Sequence, residues 1–163
     1  MIRYMAAAVL FVAAMLRPSP CAAQISEITI NVDGLACPGC AAAVDQNLRT
    51  VATVAGVRVT PSENAAYVRL KNGAAFAPDQ LSAAVQKGGE KVRGYALQMC
   101  ATVDKQNGTY FVRAPGAKQR FAVHGQANSK ALSPLVGSAL VCLKAKVVST
   151  SPLEIDLTEL THP

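Results

Sequence analysis

Apolar and polar residues alternate along residues 27–33, where Ile28, Ile30 and Val32 take every second position. A period of two is typical of a strand that buries one face. From about Pro38 the apolar spacing changes to three and four, which predicts a helix with one apolar stripe. The stripe consists of Ala41, Val44, Leu48 and Val51. The patterned part of the chain therefore begins with a strand that is followed directly by a helix.

The next segments repeat this alternation of strands and helices. Two alternating segments around a Pro-Ser-Glu-Asn turn predict a β-hairpin, a second apolar stripe predicts a helix, and a last strand follows. The hairpin strands are predicted at residues 57–60 and 66–70, the helix from Pro78 to Gly88, and the last strand near residues 95–99. The order strand, helix, strand, strand, helix, strand predicts an α+β fold, a ferredoxin-like βαββαβ sandwich.

Strand patterns dominate the second half of the chain. Asn107-Gly108 is a strong signal for a two-residue hairpin turn between two strands. A polar, turn-rich segment over residues 129–136 favours a short helical turn. The strands are predicted at residues 95–106, 109–114, 121–124, 138–150 and 153–160. Five strands with a helical turn between the third and fourth predict a small all-β, OB-like barrel.

The first 23 residues have the pattern of a secretory signal peptide. Arg3 precedes an apolar run of 11 residues, Ala6–Leu16, which is too short to span a bilayer. Small residues follow at the positions that a cleavage site requires. We therefore expect residues 1–23 to be removed by cleavage near Ala23, and the protein to be periplasmic or secreted. The alternatives are an uncleaved anchor and a lipoprotein modified on Cys21.

Charge and composition exclude several functions for the remaining chain. Cleavage lowers the formal charge from +6 to +4, Trp is absent, and only Lys144 and Lys146 approach a basic cluster. We therefore expect no nucleic-acid partner. No other segment is apolar enough to span a membrane, and no arrangement of residues suggests an enzyme. The mature chain is expected to divide into the ferredoxin-like domain, residues 24–99, and the barrel, residues 100–163.

Cys37 and Cys40 stand three positions apart where the first strand ends and the first helix begins. Thiolates bind soft ions such as Cu(I), Hg(II) and Zn(II), and two sulfurs on one turn suit a two-coordinate ion. If Pro38 is the first helical residue, Cys40 lies in the first turn. Free N–H groups and the helix dipole favour the thiolate there. The sequence therefore predicts a metal site made of Cys37 and Cys40.

Residues 27–99 resemble the heavy-metal-associated domain, which is the module of copper chaperones, of copper-pump amino termini and of a periplasmic mercury-binding protein. Gly34, Cys37 and Cys40 match the family motif G-M-x-C-x-x-C, with Leu35 in place of the methionine. The resemblance implies a Cu(I) chaperone or carrier, with Hg(II) or Zn(II) as the other candidate ions. It also implies a donor or acceptor protein, either a membrane transporter or a metalloenzyme.

The loop before the last strand of this domain departs from that family. Some copper chaperones place a lysine there close to the thiolates, where it lowers the charge of the complex. The best alignment puts Glu90 at that position in this chain, with Lys91 one residue later. The sequence therefore gives little reason to expect a lysine that lowers the charge of the metal complex.

Two other functions stay open for Cys37 and Cys40. A thiol-disulfide exchange protein also places C-x-x-C between a strand and a helix, although the aromatic residue expected before the first cysteine is absent here. A structural or adaptor protein gives the pair no metal role. Metal titration and measurement of redox activity distinguish these hypotheses.

Cys100 and Cys142 lie opposite the apolar faces of two predicted barrel strands. The first and fourth strands of an OB-like barrel are neighbours, so these thiols can approach the Cα separation of roughly 5.5 Å that a disulfide needs. Two separate half-buried thiols are the simpler alternative. A second metal site that adds Met99 and His124 is a further hypothesis, but such residues more often pack or lie at the surface.

Overall fold

The computed structural model describes residues 25–137 and 140–161; the predicted signal peptide, residues 1–23, lies outside the described residues. The first part of the chain forms β1 (Ile25–Asp33), α1 (Pro38–Arg49), β2 (Val54–Thr60), β3 (Ala65–Leu70), α2 (Pro78–Lys87) and β4 (Lys91–Gln106). The second part forms β5 (Thr109–Arg113), β6 (Phe121–Val123), α3 (Gln126–Leu132), β7 (Val141–Thr150) and β8 (Leu153–Thr161). Short 3-10 turns cover Pro61–Glu63 and Ser133–Leu135.

The first six elements form a sheet with two helices packed against it. The strand order is β2-β3-β1-β4, and all the pairs are antiparallel. α1 and α2 contact each other and bury their apolar stripes in one core with the inward residues of β1. The residues that line this core include Ile28, Ile30, Val32, Val44, Leu48, Leu81 and Val85. This arrangement matches the predicted ferredoxin-like βαββαβ sandwich.

β4 belongs both to this sandwich and to a five-stranded barrel. Beyond its pairing with β1, it pairs with β5 and with β7, and the strands close in the order β4-β5-β6-β8-β7. Only the β6–β8 pair is parallel among these contacts. α3 lies between the third and fourth strands of this five-stranded barrel. The architecture is α+β with a barrel that is loosely consistent with the predicted OB-like fold, and the expected domain boundary at residues 99/100 falls within β4.

The boundaries of several elements differ from the predicted ones. β4 begins at Lys91 instead of residue 95, because Lys91 pairs with Asp33 across the ladder although neither residue is apolar. β7 begins at Val141, and residues 138–139 of the predicted strand lie outside the described residues. The helical segment starts at Gln126, three residues before the predicted turn. Alternation of apolar residues identified the centres of these elements but not their ends.

The Asn107-Gly108 turn joins β4 and β5 as the sequence predicts. Asn107 has φ 48° and Gly108 has φ 84°. Two consecutive positive φ values are what a type I′ hairpin turn requires, because its twist matches that of the flanking strands. Gln106 pairs with Thr109 directly across the turn, which fixes the register of the hairpin.

Cys100 and Cys142 form a disulfide between β4 and β7. The two residues are direct partners in the ladder, and their Cα atoms are 3.9 Å apart. This is shorter than the expected separation of roughly 5.5 Å. Their neighbours Met99 and Leu143 point into the core, so both cysteines lie on the opposite face, as the alternation predicts. The disulfide therefore joins two strands of the barrel.

The side chains of Gln119 and Phe76 connect the sandwich to the barrel. The Gln119 amide accepts from the Phe76 N–H and donates to the Phe76 carbonyl, both at 2.8 Å. Phe76 is 2% exposed, and its ring contacts Tyr95 edge-on at a centroid distance of 5.3 Å and Phe121 at 6.3 Å. The loop before α2 is thus fixed to the loop before β6. Among the described residues, no helix combines the length and apolar character needed to cross a membrane.

Candidate metal centre

Cys37 caps the first helix with its own sulfur. Pro38 is the first helical residue, so its missing N–H costs nothing there. Cys37 has the extended backbone of an N-cap residue, with φ −97° and ψ 137°, and its Sγ accepts from the Cys40 N–H at 2.9 Å. The sulfur thus takes the place of the hydroxyl or carboxylate oxygen that usually caps a helix. A negative charge on this sulfur is stabilised by that N–H and by the helix dipole.

The residues before Cys37 anchor the loop. Gly34 follows β1 with φ 91°, a conformation that favours glycine. Leu35 then turns into the core and has no exposed surface. Cys37 is exposed and Cys40 is half-buried. The loop is therefore fixed from below by Leu35 while its sulfurs remain accessible from solvent.

Cys37 and Cys40 are joined as a disulfide in this structure, and their Cα atoms are 5.2 Å apart. The structure thus represents the oxidised form of the pair. Metal–thiolate bonds are about 2.3 Å long, so two sulfurs on one ion lie at most about 4.6 Å apart. Cα atoms 5.2 Å apart allow that separation by rotation of the exposed Cys37 side chain after reduction. The donor set, two thiolates on one turn, fits a soft ion of low coordination number.

Charged side chains surround the loop. Glu90 places its carboxylate against Gly34, because a Cβ built on Gly34 would lie only 3.0 Å from Glu90 Cδ. Arg93 Nε contacts Asp33 Oδ1 at 2.5 Å, and both groups are well exposed. Glu90 therefore lies beside the segment that leads into Cys37. A carboxylate, and not an ammonium group, adjoins the loop.

The alternative second metal site is not assembled. Cys100 and Cys142 are bonded to each other, and Met99 is fully buried on the other face of β4. His124 lies near Glu154 instead, with Nδ1 3.9 Å from the carboxylate. Within residues 25–137 and 140–161, no three His, Cys, Asp or Glu side chains form a cluster that could hold a metal ion. Met99 packs in the core and His124 lies at the surface, which are the roles that such residues more often have.

The two disulfides lie at opposite ends of the sandwich. β4 pairs its Lys91 with Asp33 near the Cys37-Cys40 loop and its Met99 with Ile25 at the far end of β1. Eight residues of strand separate Ile25 from Asp33, which corresponds to roughly 26 Å. Exchange between the two disulfides within one molecule is therefore excluded in this fold.

Sequence reasoning did not identify the capping role of Cys37 or the contact between Glu90 and Gly34. The capping role follows from Pro38, since a proline at the first helical position makes the preceding residue the N-cap. No local signal identifies the Glu90 contact, because it joins residues 56 positions apart in the sequence.

No family model matches the chain, and no curated protein matches it. Several solved structures do match, in the N-terminal part of the chain. The CopZ metallochaperone is 25% identical and covers 41% of this chain and 98% of its own, with a TM-score of 0.38. A copper-binding domain from HMA7, a P-type ATPase, is 22% identical over 41% of this chain and 89% of its own, with a TM-score of 0.38. The yeast copper transporter domain Ccc2a, solved in apo and Cu(I)-loaded states, is 19% identical over 41% of this chain and 90% of its own, with a TM-score of 0.37.

Proposed function

We propose that this protein is an exported Cu(I) carrier that holds its ion between Cys37 and Cys40 and transfers it by ligand exchange. The observation that carries the proposal is the placement of both sulfurs on one solvent-facing turn, with Cys37 Sγ already accepting the Cys40 N–H at 2.9 Å. That hydrogen bond and the helix dipole stabilise the thiolate that a soft ion requires. The βαββαβ sandwich and the motif resemblance support the same function.

Transfer proceeds without bond-making catalysis. The reduced pair loses its thiol protons when the two thiolates bind Cu(I). A thiolate or thioether of the acceptor then adds to the ion as a third ligand, after which one cysteine of this chain leaves. Exposure of Cys37 gives the acceptor access, while burial of Leu35 keeps the loop in place during the exchange. Hg(II) and Zn(II) remain alternative ions because they accept the same donors.

The sequence supports the location and the partner that we propose. The signal peptide predicted at residues 1–23 supports a periplasmic or secreted protein. The acceptor we propose is a membrane transporter or a metalloenzyme with its own soft ligands. The OB-like barrel is proposed as a surface that positions this acceptor, because β4 runs without interruption from the sandwich into the barrel. We propose neither an enzymatic activity nor a nucleic-acid partner.

Anaerobic titration of the reduced protein with Cu(I), Zn(II) and Hg(II), against competing chelators, tests the proposal. We expect one Cu(I) ion per chain, and its loss in the variant Cys37→Ser/Cys40→Ser. The matched control is Cys100→Ser/Cys142→Ser, which removes the same number of thiols at the far end of the sandwich. Binding that the control loses and the first variant keeps would contradict the proposal.

The disulfide between Cys37 and Cys40 favours thiol-disulfide exchange as a second candidate function. In that reaction the exposed Cys37 thiolate attacks a partner disulfide and releases one partner thiolate, forming a mixed disulfide. The Cys40 thiolate then attacks Cys37 Sγ and releases the second partner thiolate, which leaves the partner reduced and this pair oxidised. Trapping of a mixed disulfide by Cys40→Ser, in a protein that binds no Cu(I), would favour this function over metal transfer.

A further inference from the structure

Glu90 occupies a particular position beside the candidate metal loop. It follows Gly89, which has φ 90° and ends the loop after α2, and it immediately precedes β4. Its carboxylate fills the space that a side chain on Gly34 would take, with Cδ 3.0 Å and Oε1 3.4 Å from a Cβ built there. A glycine at position 34 therefore makes room for a carboxylate next to the chain segment that leads into Cys37.

The charge of Glu90 is not neutralised by an ion pair. Arg93, three residues further along the chain, pairs instead with Asp33, with Nε 2.5 Å from Oδ1. In the described part of the chain, residues 25–137 and 140–161, no Lys or Arg forms a salt bridge with Glu90. Glu90 is also half-buried, so solvent screens its charge less than it screens that of an exposed carboxylate. The loop therefore adjoins a carboxylate that forms none of the described salt bridges.

We propose that Glu90 is a specificity-determining residue that shifts the metal preference of the Cys37-Cys40 pair from monovalent towards divalent soft ions. This inference rests on the proposed function of that pair. Two thiolates with Cu(I) carry a net charge of −1, whereas two thiolates with Zn(II) are neutral. A nearby carboxylate destabilises the first complex relative to the second. In this proposal Glu90 acts through its charge and not as a ligand.

The size of the effect follows from Coulomb's law. Gly34 and Cys37 are three residues apart, so their Cα atoms are at most about 11 Å apart. We take about 10 Å as the scale of the distance between the Glu90 carboxylate and the bound ion. Unit charges about 10 Å apart, at an effective dielectric constant between about 20 and 80, shift a ratio of affinities by about twofold to fifteenfold. The shift concerns the ratio of the Cu(I) and Zn(II) affinities, while each affinity alone also depends on the sulfurs.

The test compares Glu90→Gln with a matched variant, Glu27→Gln. Glu27 is also half-buried, and it lies seven residues from Gly34 along β1, which is roughly 23 Å and well beyond a Debye length at physiological salt. Dissociation constants for Cu(I) and Zn(II) are measured on the reduced proteins at one pH by chelator competition. We expect Glu90→Gln to move the ratio about twofold to fifteenfold towards Cu(I), and Glu27→Gln to move it less than twofold. Glu90→Lys reverses the charge and should move it further in the same direction.

Salt dependence separates a charge effect from a structural one. At about 1 M salt the screening length is about 3 Å, so the difference between wild type and Glu90→Gln should become smaller than at low salt. A shift that persists unchanged at high salt, or equal ratios for Glu90→Gln, Glu90→Lys and Glu27→Gln, would overturn the proposal for Glu90. In both cases the wild type still binds metal through its cysteines. Absence of binding in the wild type would instead refute the proposed function.

Discussion

Removal of the Cys100–Cys142 disulfide should cost this protein more stability than any other change to its cysteines. The bond closes a loop with a sequence separation of 42 between neighbouring strands β4 and β7. In the chain-entropy model, a loop of that length stabilises the folded state by about 4 kcal/mol at 25 °C. The Cys37–Cys40 bond has a separation of only three residues, and the same relation gives about 2 kcal/mol.

The assay is urea unfolding of the oxidised wild type, of Cys100→Ala/Cys142→Ala and of Cys37→Ala/Cys40→Ala. We expect the first variant to lose about 4 kcal/mol of unfolding free energy and the second about half as much or less. The slope of the transition should also increase in the first variant, because the unfolded chain without the cross-link exposes more surface. Equal stabilities of the two variants would refute the reasoning from loop length, and free thiols at Cys100 and Cys142 in the oxidised protein would refute the disulfide itself.

Three further predictions concern the core and the connection between the two parts of the fold. Gln119→Ala should lower the unfolding free energy by about 1–3 kcal/mol, because both hydrogen bonds to the Phe76 backbone are lost. Thermal denaturation measures this, and Lys118→Ala, which removes an exposed neighbour, should match wild type; a similar loss in both would contradict the role of the amide. Burial raises the pKa of Tyr95 to about 12. Since the unfolded value is about 10, the folded state holds this proton longer, and stability should fall as pH rises from about 10 to about 12. Unfolding experiments across that range should show a smaller fall in Tyr95→Phe, and an unchanged fall would exclude this cause. Leu35→Ala should cost about 2–5 kcal/mol, whereas Leu35→Met should cost less than about 1.5 kcal/mol, and chemical denaturation distinguishes this packing role from a neutral surface position.

The sequence was sufficient to predict the elements whose signals are local. Pro38 and Pro78 each begin a helix where they were expected to, and Asn107-Gly108 adopts the two positive φ values of its turn. Alternation along β4 and β7 also placed Cys100 and Cys142 on one side of the barrel. Each of these predictions depends on a backbone preference or a period that a few neighbouring residues determine.

Features that depend on distant residues were not predictable in the same way. Phe76 is 2% exposed and packs between Tyr95 and Phe121, but it lies in a loop without a periodic pattern. The start of β4 at Lys91 depends on a partner strand that supplies hydrogen bonds to polar residues. The hydrogen bonds of Gln119 join residues 43 positions apart. Such contacts arise only when the sandwich and the barrel share β4, and a sequence pattern does not report that arrangement.

In the candidate site, too, the sequence predicted the local features but not the contact between distant residues. Two cysteines three positions apart at a strand-helix junction predicted the donor atoms, and Pro38 placed Cys40 in the first turn. The contact of the Glu90 carboxylate with Gly34, by contrast, depends on how the loop after α2 folds back over the end of β1. The charge beside the thiolates, which governs the proposed ion preference, is therefore a property of the tertiary structure.

X-ray absorption spectroscopy of the reduced, Cu(I)-loaded protein tests the central claim most directly, because it reads the atoms bound to the ion. We predict a first coordination sphere of two sulfur atoms at one Cu(I) per chain, and no retained copper in Cys37→Ser/Cys40→Ser. A sphere dominated by nitrogen or oxygen, or the same sulfur signal in that variant, would contradict the assignment of Cys37 and Cys40 as the metal ligands.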